Sequence, residues 1–325
     1  MNGRGDLNGL DGRNALGERG ALGSLGALGE RGRTRPFFAV DVGNTRTKIG
    51  FWRDVESGPF PDAEFADASE TFDATDVWLR SLPLDADVSA RWLVSSVNDR
   101  KASALEAAVR RFRPLDAFST LRLADVPIPV EYDYPEKLGI DRAVAAFAGV
   151  RLLGAGRPFL AVDVGTAATI DWVDERGVFR GGAILPGPRL IAESLQAKTA
   201  NLPALDDPER EGARTFDYPA TETTKAIRLG VVYSLVGAIS AFYWQTRRRL
   251  LESGSDPTRL ALLIAGGDAR ATERRLRTLF DDWEANFGAD FAFPRPEIVV
   301  EPRLLSFGLR EIARSTSGEG AAKAR

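Results

Sequence analysis

Two segments of the chain end an apolar run with a carboxylate, a glycine and hydroxyl-bearing neighbours. Phe37-Phe38-Ala39-Val40-Asp41-Val42-Gly43-Asn44-Thr45 returns as Phe159-Leu160-Ala161-Val162-Asp163-Val164-Gly165-Thr166-Ala167. A glycine lets the backbone approach a ligand closely, and consecutive turn amides make a concave donor set for anions. Thr45 and Thr166 add hydroxyls at the same spot, and Lys48 adds a cation. An aspartate beside a phosphate repels it, so Asp41 and Asp163 make sense as ligands of a cation, or of its bound water, that accompanies the phosphate. Asp, Asn and Gly also serve plain tight turns, and one copy alone would support either role. Two matching copies favour a nucleoside-triphosphate cleft with metal.

A second constellation is Tyr132-Asp133-Tyr134-Pro135-Glu136-Lys137-Leu138-Gly139-Ile140-Asp141-Arg142, ahead of a helix marked by Ile140, Val144 and Phe147. Asp141 falls in the first turn, where the helix dipole favours an ionised carboxylate. It is placed either to accept a proton from a substrate hydroxyl or only to serve the helix end. Arg142 offers a forked donor for a carboxylate or phosphate. Thr223 stands at the start of a long apolar helix, where it either bonds a polar ligand or caps the helix. Gly181 to Pro188 reads as a turn, a short strand and a proline-fixed helix start. Gly266-Gly267-Asp268 closes the buried run Leu260–Ala265 with a bend that leaves room for a flat base or ribose.

Other chemistries are excluded by composition. The chain has no Cys and no His. Disulfides, thiolate and imidazole metal sites, cysteine nucleophiles and the Ser-His-Asp triad are therefore absent. Catalysis must run on carboxylates, hydroxyls, Lys and Arg, backbone dipoles or a bound hard cation. A formal charge of −3 supplies no net basic field for nucleic acid.

The elements that must position these residues follow from the repeated pattern. Each Asp-Val-Gly run is followed by a second strand-like run, Thr47–Trp52 and Ala168–Val173, so each copy predicts a hairpin. With 325 residues, two such units at domain spacing predict a duplicated α/β fold with two halves facing across a cleft. We expect a disordered Gly-rich leader over 1–35, halves over 36–155 and 156–313, and a flexible tail over 314–325. The apolar stretch Leu229–Trp244 is shorter than a bilayer span. It predicts a core or subunit-interface helix with Gly230, Ser234, Gly237 and Ala241 as a small-residue stripe.

Between about Phe37 and Ile312 the chain resembles the type III pantothenate kinases, which belong to the actin and sugar-kinase superfamily. The resemblance rests on Asp41 to Thr45, Gly139-Ile140-Asp141-Arg142, Asp163 to Ala167 and Gly181 to Gly187. It implies two ribonuclease-H-like domains with an interdomain nucleotide cleft, and ATP-dependent conversion of pantothenate to 4′-phosphopantothenate in coenzyme A synthesis. By motif position, Asp41, Val42, Gly43, Asn44, Thr45, Arg46, Thr47, Lys48 and Thr166 would bind ATP. Tyr132, Gly139, Ile140, Asp141, Arg142 and Thr223 would hold pantothenate, with Asp141 as general base. Asp163 would ligate a monovalent cation, potassium or ammonium, and Asp41 magnesium. The resemblance also implies a homodimer, and a cytoplasmic location with neither nucleic acid nor membrane as partner is expected. The alternatives are a nucleotide-binding regulatory protein of the same fold, or a kinase for another small hydroxyl substrate.

Overall fold

The computed structural model describes residues 35–69, 71–85, 87–205, 218–287 and 295–322. All of the expected leader except Arg35 lies outside them, as do the last three residues of the expected tail. In the first half, β1 (Phe37–Val42), β2 (Thr47–Trp52) and β3 (Ala63–Asp67) form an antiparallel meander. Helix α1 (Asp73–Ser81) leads to β4 (Arg91–Ser96), parallel to β1. Helix α2 (Asp99–Phe112) leads on to β5 (Ala117–Thr120), parallel to β4, and α3 (Ile140–Leu153) closes the half. The resulting sheet order is β3-β2-β1-β4-β5.

The second half repeats that plan. Strands β6 (Phe159–Val164), β7 (Ala167–Val173) and β8 (Phe179–Pro186) form the meander. Helices α4 (Pro188–Lys198) and α5 (Thr223–Glu252) precede β9 (Ala261–Ala265), α6 (Ala269–Phe287), β10 (Glu297–Val300) and α7 (Leu304–Ala322). Read from the third strand of its meander, this sheet has the order β8-β7-β6-β9-β10, with the same parallel and antiparallel joins. Two mixed sheets of one topology give the duplicated ribonuclease-H-like arrangement. Helix α7 continues to Ala322, through most of the segment expected as a tail.

Side-chain alternation along β1 and β6 sets what faces what. Phe37 and Ala39 on β1, and Phe159 and Ala161 on β6, join one core that also contains α3 and α7 between the sheets. Phe38, Val40 and Val42 turn outward to the core under α1 and α2, where Phe38 stacks on Trp92 at 4.1 Å. Leu160, Val162 and Val164 turn outward to α5 and α6. The two-residue period then places Asp41 and Asp163 on the inner faces, each at the carboxyl end of its strand. Close approach within the inner layer depends on glycine: a Cβ at Gly308 of α7 would lie 2.9 Å from Val144 and Ala148 of α3.

Two local expectations are corrected. Gly181 and Gly182 lie inside β8 rather than in a turn before it, where a register shift marks a bulge and Gly181 takes φ +87°. The cap of α5 is Glu222, whose carboxylate accepts the amides of Thr224 and Lys225, so Thr223 is the first helical residue. Helix α5 is long and apolar enough to cross a membrane by length and composition, but its face of Val231, Val232, Leu235, Val236 and Ile239 is buried in the fold. Its small-residue stripe faces away from the core, with nothing within 4 Å of a Cβ built at Gly230 or Gly237.

Candidate active site

The hairpin turns of the two halves meet. Thr45 Oγ1 and Thr166 Oγ1 share a hydrogen bond of 2.8 Å, between residues far apart in the chain. Behind each turn stands its aspartate. Lys48 pairs with Asp41 across β1 and β2 and so lies on the same inner face. Burial pushes the Asp41 carboxyl up to about 7; Lys48 opposes the rise, and the like charges of Asp141 and Asp163 add to it. Asp163 is raised too, by burial first, with Lys48 opposing and Asp141 and Asp171 adding. Three aspartates from separate segments and one lysine thus share a single electrostatic environment.

Asp141 and Arg142 occupy the first turn of α3, after the cap residue Gly139. The Asp141 carboxylate folds back to accept the Arg142 amide at 2.8 Å, and a Cβ at Gly139 would come within 2.6 Å of it. Burial raises Asp141 above its ordinary range, with the bond from Arg142 opposing. Its side chain keeps partial access to solvent, as a group that must touch a substrate requires. Arg142 is buried and grips Asp171, its Nε lying 3.1 Å from both carboxylate oxygens. Its guanidinium lies 5.9 Å from the Tyr132 ring and 5.6 Å from that of Phe179. Tyr132 in turn rests against Gly181, where a Cβ would approach the ring to 3.4 Å.

The structure therefore gathers Asp41, Thr45, Lys48, Asp163 and Thr166 around the facing turns. Tyr132, Gly139, Asp141 and Arg142 form an adjoining group tied to them electrostatically. The amide of Gly43 donates to Arg46 C=O at 3.1 Å, and Asn44, Thr45 and Arg46 are exposed. Val42 and Thr47 are fully buried on the opposite face, and Ile140 belongs to the inner core. Thr223 is exposed and makes no hydrogen bond to the other candidates among the described residues. Gly266, with φ +91°, packs onto the Asp163 carboxylate and the Val164 carbonyl.

The carboxylates of Asp41 and Asp163 accept no hydrogen bond from the described residues. Among the described residues, no three acidic side chains lie close enough together to hold a metal ion by themselves. One or two unsatisfied carboxylates beside an anion site form the donor set that magnesium uses when phosphates and water complete its shell. Those residues fit a cation that arrives with its nucleotide.

Sequence reasoning missed two polar residues. Asp171 holds Arg142 in place, and its signal was a lone carboxylate inside the apolar run Ala168–Val173. Lys101 bonds the first turn from beneath. It shares a helix face with Leu105, Ala108 and Val109, a position where a charged residue needs a reason.

A family model described as type III pantothenate kinase matches residues 37–245. The type III pantothenate kinase of Rubrobacter xylanophilus is 33% identical over 253 residues, covering 74% of this chain and 90% of its own length. That of Rhodopirellula baltica is 40% identical over 145 residues, covering 45% of this chain and 49% of its own. Among solved structures, the chain is similar to the inorganic polyphosphate/ATP-glucomannokinase of Arthrobacter sp. strain KM. That likeness has a TM-score of 0.38 and 14% identity, over 87% of this chain and 100% of the other.

Proposed function

The chain belongs to the type III pantothenate kinase family, and from that premise we propose how its own residues perform the reaction. The activity is ATP-dependent phosphorylation of pantothenate, in coenzyme A biosynthesis. ATP lies in the cleft with its phosphates against the open amides of Thr45 and Arg46, the Thr45 and Thr166 hydroxyls and Lys48. Tyr132, Gly139 and Arg142 wall the pantothenate pocket, and Asp171 keeps the Arg142 fork oriented. Asp141 is the general base, taking the proton of the attacking hydroxyl as the phosphoryl group transfers. Its burial-raised pKa suits that task, because a carboxylate nearer neutrality is the stronger base. Phosphoryl transfer passes through a loose transition state, so placing the two substrates in line matters more than basicity.

Asp41 would hold magnesium and Asp163 a monovalent cation, potassium or ammonium. When bound, these ions neutralise charge on the phosphates. The exposed stripe of α5 would serve a homodimer contact, and the cytoplasm, where ATP is supplied, is the expected location.

The observation that carries this reading is the convergence of Asp41, Asp141, Asp163 and Lys48 where the turns of both halves meet. A coupled assay of ATP consumption by the purified protein tests it. ADP should form only when pantothenate is present. Turnover with other small alcohols but not pantothenate would replace the acceptor. Nucleotide binding without turnover would make the protein a nucleotide-responsive regulator.

A further inference from the structure

Lys101, in the first turn of α2, is only 6% exposed, yet no carboxylate among the described residues pairs with it. Its Nζ donates instead to the main-chain carbonyls of Asn44 at 2.9 Å and Thr45 at 3.4 Å. A buried cation held by carbonyl dipoles alone is incompletely compensated. The two bonds also have a geometric consequence. In a trans peptide the C=O and N–H point in opposite directions. Drawing the carbonyls of Asn44 and Thr45 down onto Lys101 therefore turns the amides of Thr45 and Arg46 up, toward the open side. Both residues are exposed, and neither amide has an acceptor among the described residues.

The duplication supplies an internal control. Val97 donates to the Val42 carbonyl at 3.2 Å, and Asp268 donates to the Val164 carbonyl at 3.3 Å, so the two helix entries correspond. Four residues beyond each lie Lys101 and Thr272. Thr272 is fully buried and its hydroxyl has no partner among the described residues. The second turn is also one residue shorter, since Val164 pairs with Ala168 where Val42 pairs with Thr47. Only the first turn has both the extra amide and a cation beneath it.

We propose that Lys101 is a positioning residue for the phosphoryl donor. It fixes the amides of Thr45 and Arg46 toward the cleft and leaves part of its charge for the triphosphate to neutralise. This rests on the reading of the β1–β2 turn as the phosphate site.

Steady-state kinetics of Lys101→Met, Lys101→Arg and Lys48→Ala separate the two ideas. Lys101→Met should raise KM for ATP about tenfold or more, the scale of a lost charge-assisted bond, with KM for pantothenate unchanged. Lys101→Arg should recover most of that loss, which a general packing defect would not allow. An unchanged KM for ATP in Lys101→Met, beside a raised one in Lys48→Ala, overturns the role of Lys101 and keeps the turn as the phosphate site. No change in either variant overturns the turn reading as well.

A measurement on the native protein covers the case of a variant that fails to fold. Inorganic tripolyphosphate, titrated in, should shift the amide resonances of Thr45 and Arg46. Amides that stay still while phosphate binds overturn the proposal, and a failure to bind overturns the turn reading.

Discussion

The carboxylate of Asp141 accepts the Arg142 amide at 2.8 Å and is raised by burial, and both features keep a proton acceptor ready beside Arg142. Asp141→Asn keeps the size and removes the acceptor. Turnover should fall by roughly 10²-fold or more while ATP binding and the melting temperature hold, and undiminished turnover would dismiss Asp141 as the base. Asp41 carries a second prediction. Its folded value of about 7 lies above the ordinary 3.8, so between those limits the folded chain binds the extra proton. The corresponding stability is present at acid pH and is lost as pH rises through about 7. Asp41→Asn, which never ionises, should therefore be more stable than the native protein at pH 8. The gain should be on the order of a few kcal/mol, the scale of a rise from 3.8 to about 7. Thermal melts should converge near pH 4; curves that stay parallel would show that Asp41 is not raised. Asp41 and Asp163 were legible in the sequence because each ended a patterned run, and Asp141 because it opened one. Lys101 was not, because its partners lie across the sheet at residues 44 and 45.

At the scale of elements, periodicity carried most of the information. The spacing of Ile140, Val144 and Phe147 put Asp141 in a first helical turn, while the Phe-Ala-Asp alternation that turns both aspartates inward shows only once β1 and β6 are in place. Local ends were harder to read. Thr221-Glu222-Thr223-Thr224 offers four adjacent polar residues, and only the extended backbone at Glu222 decides the cap. The bulge at Gly181 depends on how β8 pairs with β7, which local sequence does not state. The crossing of α3 and α7 gives the test at this scale. Gly308→Ala should lower stability by about 1–3 kcal/mol, because the new methyl meets Val144 and Ala148. Gly237→Ala, which meets nothing within 4 Å in the single chain, should raise the stability of the monomer by about 0.5–1 kcal/mol through helix propensity. If both variants melt alike, the crossing is not a point of close contact.

For the whole molecule, the internal repeat was enough to anticipate two halves, and the matched sheet orders bear this out. What it could not convey is that the closing helix of each half lies between the sheets. Arg151 of α3 binds Glu311 of α7, and Arg314 of α7 reaches Glu56 beyond β2, and such distant partners leave no local trace. The bond between the Thr45 and Thr166 hydroxyls belongs to this scale too, since it joins one half to the other. The two exposed fingertips are clasped through their hydroxyls. In the proposed reading an entering phosphate oxygen would take the place of one hydroxyl on the other, so the ligand would part a clasp instead of summoning distant jaws. Affinity for the nucleotide would accordingly be set against the strength of that handshake.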